Sequence, residues 1–178
     1  MIGVYDYTVL ATYLSLAFGV SGILAAMNGS PYSALLCLMV SGLLDAFDGR
    51  IARTKKNRTE QEKRFGIQID SLNDVVCFGV LPGVIGASLG GGEWWLRAGV
   101  LFYILAALIR LAYFNVTEEE RQSATNEHRH YYLGVPVTAA SFVMPLFWAL
   151  PLRLGSAPAV IYAVGLTLLA FLFITPLR

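Results

Sequence analysis

Long stretches without a single charged side chain constrain this sequence more than any other feature. Tyr7 to Met27 is an uncharged run of 21 residues, Tyr131 to Leu152 one of 22, and Leu154 to Leu177 one of 24. Each matches the ~20 apolar residues that an α-helix needs to cross a hydrocarbon layer. The chain is 56% hydrophobic and 14% charged, with a mean hydropathy of +0.60. An ordinary soluble domain carries about 25% charged residues, so a polytopic membrane protein is expected. The net charge of +1 provides no footprint for nucleic acid, and no nucleic-acid partner is expected. No basic stretch precedes the first run and no small-residue cleavage site stands out, so a secretory signal peptide is not expected. Cys37 and Cys77 lie in apolar runs without CxxC spacing and read as buried free thiols.

The pattern predicts an all-α protein of six transmembrane helices, at 6–27, 31–54, 66–89, 93–116, 133–151 and 155–176. Pro31 and Pro136 are placed for helix starts, and Gly90 to Gly92 break the chain between the third and fourth helices. No repeat is evident, and one domain over 1–178 is expected. Arg50, Arg53, Lys55, Lys56, Arg58, Lys63 and Arg64 are seven of the thirteen basic residues. The loop between the fourth and fifth helices adds Arg121 and Arg129, whereas the opposite side offers Arg97 and Arg153. The excess of Lys and Arg places the 54–66 and 116–132 loops, and with six spans both termini, in the cytoplasm. Trp94 and Trp95 suit an interfacial anchor on the outer side.

Within this apolar frame four aspartates recur in one pattern: Asp45-x2-Asp48-Gly49-x2-Ala52-Arg53, twelve residues, then Gly66-x3-Asp70-x3-Asp74. Carboxylates are costly in a bilayer and call for a function. Spacings of three and four put each pair on one face of its helix. A short connection makes the two helices antiparallel neighbours, with the pairs at similar depth near the cytoplasmic face. Four carboxylates that close repel unless cations neutralise them. Hard oxygen ligands select Mg²⁺, Mn²⁺ or Ca²⁺. Gly49, Ala52 and Gly66 open a groove in which a ligand can approach the backbone. Arg53 and its basic neighbours suit phosphate oxygens. Together these features point to chemistry on a lipid-linked diphosphate. A single aspartate would be read as a cap or a surface charge, and the basic loop alone as a topology signal.

The eight positions of this pattern resemble the signature of the CDP-alcohol phosphatidyltransferases. The gap between Arg53 and Gly66 is longer than usual in that family, and its extra residues fall in the polar stretch Lys55 to Arg64. Three further segments resemble bacterial members that use serine: DSLNDVVCFGVLP at 70–82, RLAYFNV at 110–116 and YLGVP at 132–136. Asn73, Cys77 and Tyr113 depart from the usual forms.

The resemblance implies a six-helix enzyme of the cell membrane, facing the cytoplasm, usually a homodimer and using a pair of Mg²⁺ or Mn²⁺ ions. It implies transfer of a phosphatidyl group from CDP-diacylglycerol, a membrane lipid, to an alcohol such as L-serine, with release of CMP. Asp45, Asp48 and Asp70 would be metal ligands. Asp74 would also belong to the metal site and act as general base. Asp48, Gly49, Ala52, Arg53, Gly66 and Asp70 would line the nucleotide site. Serine brings a carboxylate and an ammonium, and Arg110, near the cytoplasmic end of the fourth helix, is a candidate for holding the acceptor or a phosphate. His128, Arg129 and His130 form a small basic cluster in a loop that is either solvated or in contact with substrate or lipid. Glu118 to Glu120 read as solvated charge after the fourth helix. Glycerol 3-phosphate or an inositol phosphate is the alternative acceptor. A divalent-cation transporter is the rival of another class, but it needs acidic residues near midplane and a path to the far side.

Overall fold

The computed structural model describes residues 3–55, 57, 59–90, 93–124, 134–154 and 158–176. These form an all-helical bundle: α1 (Leu10–Met27), α2 (Pro31–Thr54), α3 (Glu60–Asp74), α4 (Leu81–Leu89), α5 (Trp94–Ala124), α6 (Ala140–Leu154) and α7 (Pro158–Ile174). A π-helical stretch, Val75–Val80, joins α3 to α4 in one continuous rod, and a 3₁₀ turn, Val137–Ala139, leads into α6. No strand occurs among the described residues. By length and composition three helical stretches can cross a membrane: Leu10–Met27, the 30-residue Glu60–Leu89 and Trp94–Glu120. Val137–Leu150 and Pro158–Ile174 are apolar but shorter.

Several boundaries differ from the sequence expectation, each for a local reason. The first helix begins at Leu10 rather than at residue 6, because Asp6 to Val9 form a turn. There the Asp6 carboxylate accepts from the Thr8 backbone N–H at 2.8 Å and from the Thr8 hydroxyl, a bonding pattern that competes with helix. The third helix starts at Glu60, not at 66, on a capping box. Thr59 Oγ1 accepts from the Glu62 N–H at 3.2 Å, and Glu62 Oε2 accepts from the Thr59 N–H at 2.8 Å. Lys63 and Arg64, assigned from sequence to a loop, therefore ride on α3. The fourth helix runs on to Ala124 instead of ending at 116, so Glu118 to Glu120 lie within α5 and not after it. The expected 133–151 helix is entered later, at Ala140 through the 3₁₀ turn, and the last one spans Pro158–Ile174. Between α1 and α2 the chain reverses in three residues. Gly29 takes φ +73°, and the N–H groups of Gly29 and Ser30 return to the carbonyls of Ala26 (3.0 Å) and Ala25 (2.9 Å), a Schellman closure.

Large apolar side chains point outward along the bundle. Leu14, Phe18 and Leu24 on α1, Leu36 and Leu43 on α2, and Leu101, Leu105 and Leu108 on α5 are all exposed. The inner faces carry small residues. Ser15, Gly19, Gly22 and Ala26 form a buried stripe on α1, as helices that pack without a hydrophobic driving force require. A Cβ on Gly19 would stand 2.4 Å from Cys77 Sγ, so α1 presses directly on the π-helical stretch. Pro82 brings no N–H to its rod. Fully buried Tyr103 donates its hydroxyl at 2.6 Å to the Phe78 carbonyl, four residues before the proline, and Tyr162 donates to the Pro82 carbonyl at 3.3 Å.

A close approach joins α2 to α6. A Cβ on Gly42 would lie 2.2 Å from Ser141 Oγ and 2.4 Å from Ser141 Cβ, and Ser141 is held by its own bond to the Thr138 carbonyl at 2.7 Å. Gly42→Ala should therefore destabilise the bundle by about 1–3 kcal/mol, as overpacking does. Thermal unfolding in detergent reads the loss; an unchanged midpoint would contradict so close a contact.

Candidate functional site

The aspartates lie where the C-terminal half of α2, the last turns of α3 and the N-terminal turns of α1 meet. Asp45, Asp70 and Asp74 each present a carboxylate oxygen within 4.8 Å of the others. Asp48, the fourth, stands beside them. It is buried to 9% exposure, accepts a hydrogen bond from Thr12 Oγ1 at 3.3 Å, and lies within hydrogen-bonding reach of Asp70. The Asp45 and Asp74 carboxyls are likewise in reach of one another. Asp70 Oδ1 and Asp74 Oδ1 are buried without a hydrogen-bond partner. An orphaned carboxylate oxygen in a dry site is costly. Two of them in one three-carboxylate cluster fit a divalent cation with oxygen preference. The donor set lacks nitrogen and sulfur, so it does not favour zinc.

A cleft of about 150 Å³ opens beside the cluster, lined by Thr8, Val9, Thr12, Asp48, Gly49, Lys63, Gly66, Ile67 and Asp70. Of the residues expected at a nucleotide site, Asp48, Gly49, Gly66 and Asp70 thus share one wall. A Cβ on Gly49 would meet no atom within 4 Å, so this glycine leaves room at the cleft. Ala52 and Arg53 occupy the last turn of α2, and their side chains lie outside the described residues. Thr8, Thr12 and Lys63 were not anticipated. A signal for Thr12 exists in its spacing from Ser15, Gly19 and Gly22, a polar and small stripe in an otherwise bulky apolar run.

The segment before α1 is pinned across this cleft. Lys55 Nζ pairs with Asp6 Oδ2 at 2.7 Å and with Glu62 Oε1 at 2.9 Å. The Lys55 ammonium, followed by the Thr8 hydroxyl, holds the Asp6 carboxyl down at about 2. Its folded pKa is depressed, so the pair's contribution is complete above the ordinary carboxylate range and fades as pH falls through about 2.

Arg110 projects from α5 and is buried to 9% exposure. Its Nε donates to the Val135 carbonyl at 3.3 Å, and its guanidinium would stand 3.6 Å from a Cβ on Gly134, which takes φ +75°. Any side chain at 134 would strain the backbone and crowd the arginine. Ser71 on α3 donates to Asn115 Oδ1 on α5 at 3.0 Å, tying the DSLND and RLAYFNV segments together. His128, Arg129, His130 and Tyr132 lie outside the described residues. Trp94 is 78% exposed at the start of α5, open to the interfacial place expected of it.

The profile of the CDP-alcohol phosphatidyltransferases matches residues 8–175. The chain is 30% identical over 147 residues to a CDP-diacylglycerol–serine O-phosphatidyltransferase of Mycobacterium tuberculosis, covering 81% of this chain and 49% of that one. To the protein of the same name from Helicobacter pylori it is 33% identical over 145 residues, 80% of this chain and 56% of the relative. An archaetidylserine synthase of Methanothermobacter thermautotrophicus is 29% identical over 141 residues, with 78% and 56% covered. The chain spans about half the length of the curated relatives it matches.

Proposed function

Because the chain belongs to the CDP-alcohol phosphatidyltransferase family, we propose that it transfers a phosphatidyl group from CDP-diacylglycerol to L-serine and releases CMP. The observation that carries this reading is the meeting of Asp45, Asp70 and Asp74 beside a cleft walled by Asp48, Gly49 and Gly66. The serine acceptor draws support from the DSLNDVVCFG and RLAYFNV segments and from the names of the relatives.

Asp45, Asp70 and Asp74, with Asp48 at their side, would hold Mg²⁺ or Mn²⁺ in a two-metal site. When bound, such ions polarise diphosphate oxygens and offset charge on the leaving nucleotide. Asp74 takes the proton from the serine hydroxyl as its oxygen attacks the phosphorus that carries diacylglycerol. The new P–O bond forms, the bond to the bridging oxygen breaks, and CMP departs with that electron pair. Gly49 and Gly66 admit the nucleotide close to the backbone, Arg53 and its neighbours meet its phosphates, and Arg110 holds the acceptor or a phosphate. Fixing both substrates at one interface removes much of the entropic barrier.

Six helices span the cell membrane, with the connection from α2 to α3, both termini and the site on the cytoplasmic side. The basic residues around that connection support this orientation. The diacyl chains stay in lipid while the cytidine sits at the water surface. A single domain covers the chain, and it works as a homodimer.

Incubating purified protein with CDP-diacylglycerol, Mn²⁺ or Mg²⁺, and serine, glycerol 3-phosphate or an inositol phosphate in separate reactions tests the proposal. CMP release with serine and formation of phosphatidylserine are expected. Release with a phosphorylated acceptor alone would reassign the alcohol, and no release with any acceptor would remove the enzyme reading.

A further inference from the structure

Directly against the carboxylates lies a second, uncharged polar layer. Asn73 Nδ2 donates to Ser15 Oγ at 3.2 Å, and Asn73 Oδ1 accepts from Cys77 Sγ at 3.2 Å. Ser15 Oγ and Ser41 Oγ are 2.7 Å apart, and the Ser41 hydroxyl also reaches the Ser15 carbonyl at 3.2 Å. Cys77 Sγ lies 3.5 Å from that same carbonyl. Ser15, Ser41 and Cys77 are fully buried, and Asn73 is 3% exposed. One closed set of bonds therefore joins α1, α2, α3 and the π-helical stretch.

The spacing ties this layer to the site. Ser41 precedes Asp45 by four residues on α2, Asn73 follows Asp70 by three, Cys77 follows Asp74 by three, and Ser15 follows Thr12, the partner of Asp48, by three. Each member is thus about one helical turn from a site residue. A polar group in lipid-buried surroundings has few alternative partners, so this set of bonds resists both sliding and rotation of the three helices. Asn73 is its keystone, because its amide is the group that links α3 to both Ser15 and Cys77. Asn73 and Cys77 are also two of the positions where the sequence departs from its resembled pattern, and they touch each other.

We propose that Asn73, with Ser15, Ser41 and Cys77, is a positioning residue that sets the register of α1, α2 and α3 so that the aspartates converge on the metals. This rests on the metal-dependent transfer proposed above. Outer partners of metal ligands commonly govern affinity by 10–100-fold, and the layer acts on the ligands through their helices.

Three proteins test it in detergent: the parent, Asn73→Ala, and Asn73→Ala with Cys77→Ser, in which a hydroxyl, a stronger donor than the thiol, takes over the bond that Cys77 makes to the Ser15 carbonyl. Mn²⁺ binding is measured by the electron-spin-resonance signal of the free ion, and kcat and KM for CDP-diacylglycerol are measured alongside. Asn73→Ala should raise the Mn²⁺ Kd and lower kcat by about tenfold each, with KM within about twofold, and the double variant should recover to within about threefold of the parent. Unchanged Mn²⁺ affinity in Asn73→Ala, or a double variant no better than the single one, overturns the proposal. Should Asn73→Ala not fold, the double variant decides: parental affinity supports the role and a loss refutes it. Failure of the parent itself to bind Mn²⁺ would refute the metal reading instead, a separate outcome.

Discussion

Asp74→Asn should lower kcat for phosphatidyl transfer by about 10²–10⁴-fold, the range that a positioned general base supplies. The asparagine keeps the size of the aspartate and can still offer one oxygen to the cluster. It cannot take the serine proton. On the proposed reading CDP-diacylglycerol binds in the cleft lined by Asp48, Gly49 and Gly66, which the substitution leaves in place, so KM should change by only a few fold. Steady-state CMP release over a range of CDP-diacylglycerol concentrations separates the two constants. Near-parental kcat would remove Asp74 as the base and leave it only a ligand.

Much of the architecture is legible in the sequence because the strongest signal, long uncharged runs, is also the one that lipid enforces. The all-helical class and the order of the rods follow from it. The boundaries do not, because caps and turns decide them locally. Thr59 and Glu62 extend α3 upstream of Gly66 through a capping box, a T-x-x-E signal hidden in a stretch whose charge reads as loop. Asp6 and Thr8 delay α1 by a hydrogen-bonded turn that hydropathy does not register. The π-helical stretch after Asp74 has no sequence mark except Gly79 within it and Pro82 just beyond it.

The site is legible to a similar depth. Spacing of three and four within each aspartate pair brings the carboxylates to facing surfaces, as the structure has them. Spacing cannot tell which three come closest, because that depends on the rotation of α2 against α3. Asp74, expected from sequence both at the metals and as the base, sits in the tight cluster, while Asp48 accepts from Thr12 and lines the cleft. The Ser15, Ser41, Asn73 and Cys77 layer escapes a reading that looks for charge, because each member alone passes for an ordinary small or polar residue in an apolar helix.

Removal of divalent metal should abolish transfer altogether. Asp45, Asp70 and Asp74 crowd three carboxylate oxygens within 4.8 Å of one another, a density of like charge that cations would offset. Lys63, which lines the cleft and pairs with Glu60 at 2.7 Å on an exposed flank, can meet a phosphate there but does not replace cations among the carboxylates. Asp70→Asn removes one anionic ligand and should shift the Mn²⁺ requirement upward by at least about tenfold, with activity recoverable at high Mn²⁺. The decisive measurement is CMP release from chelator-stripped protein, with CDP-diacylglycerol and serine present, as Mn²⁺ is titrated back. The account predicts no release without metal, a saturable return to full rate, and a curve displaced to higher Mn²⁺ in Asp70→Asn; undiminished release from the stripped protein would contradict it.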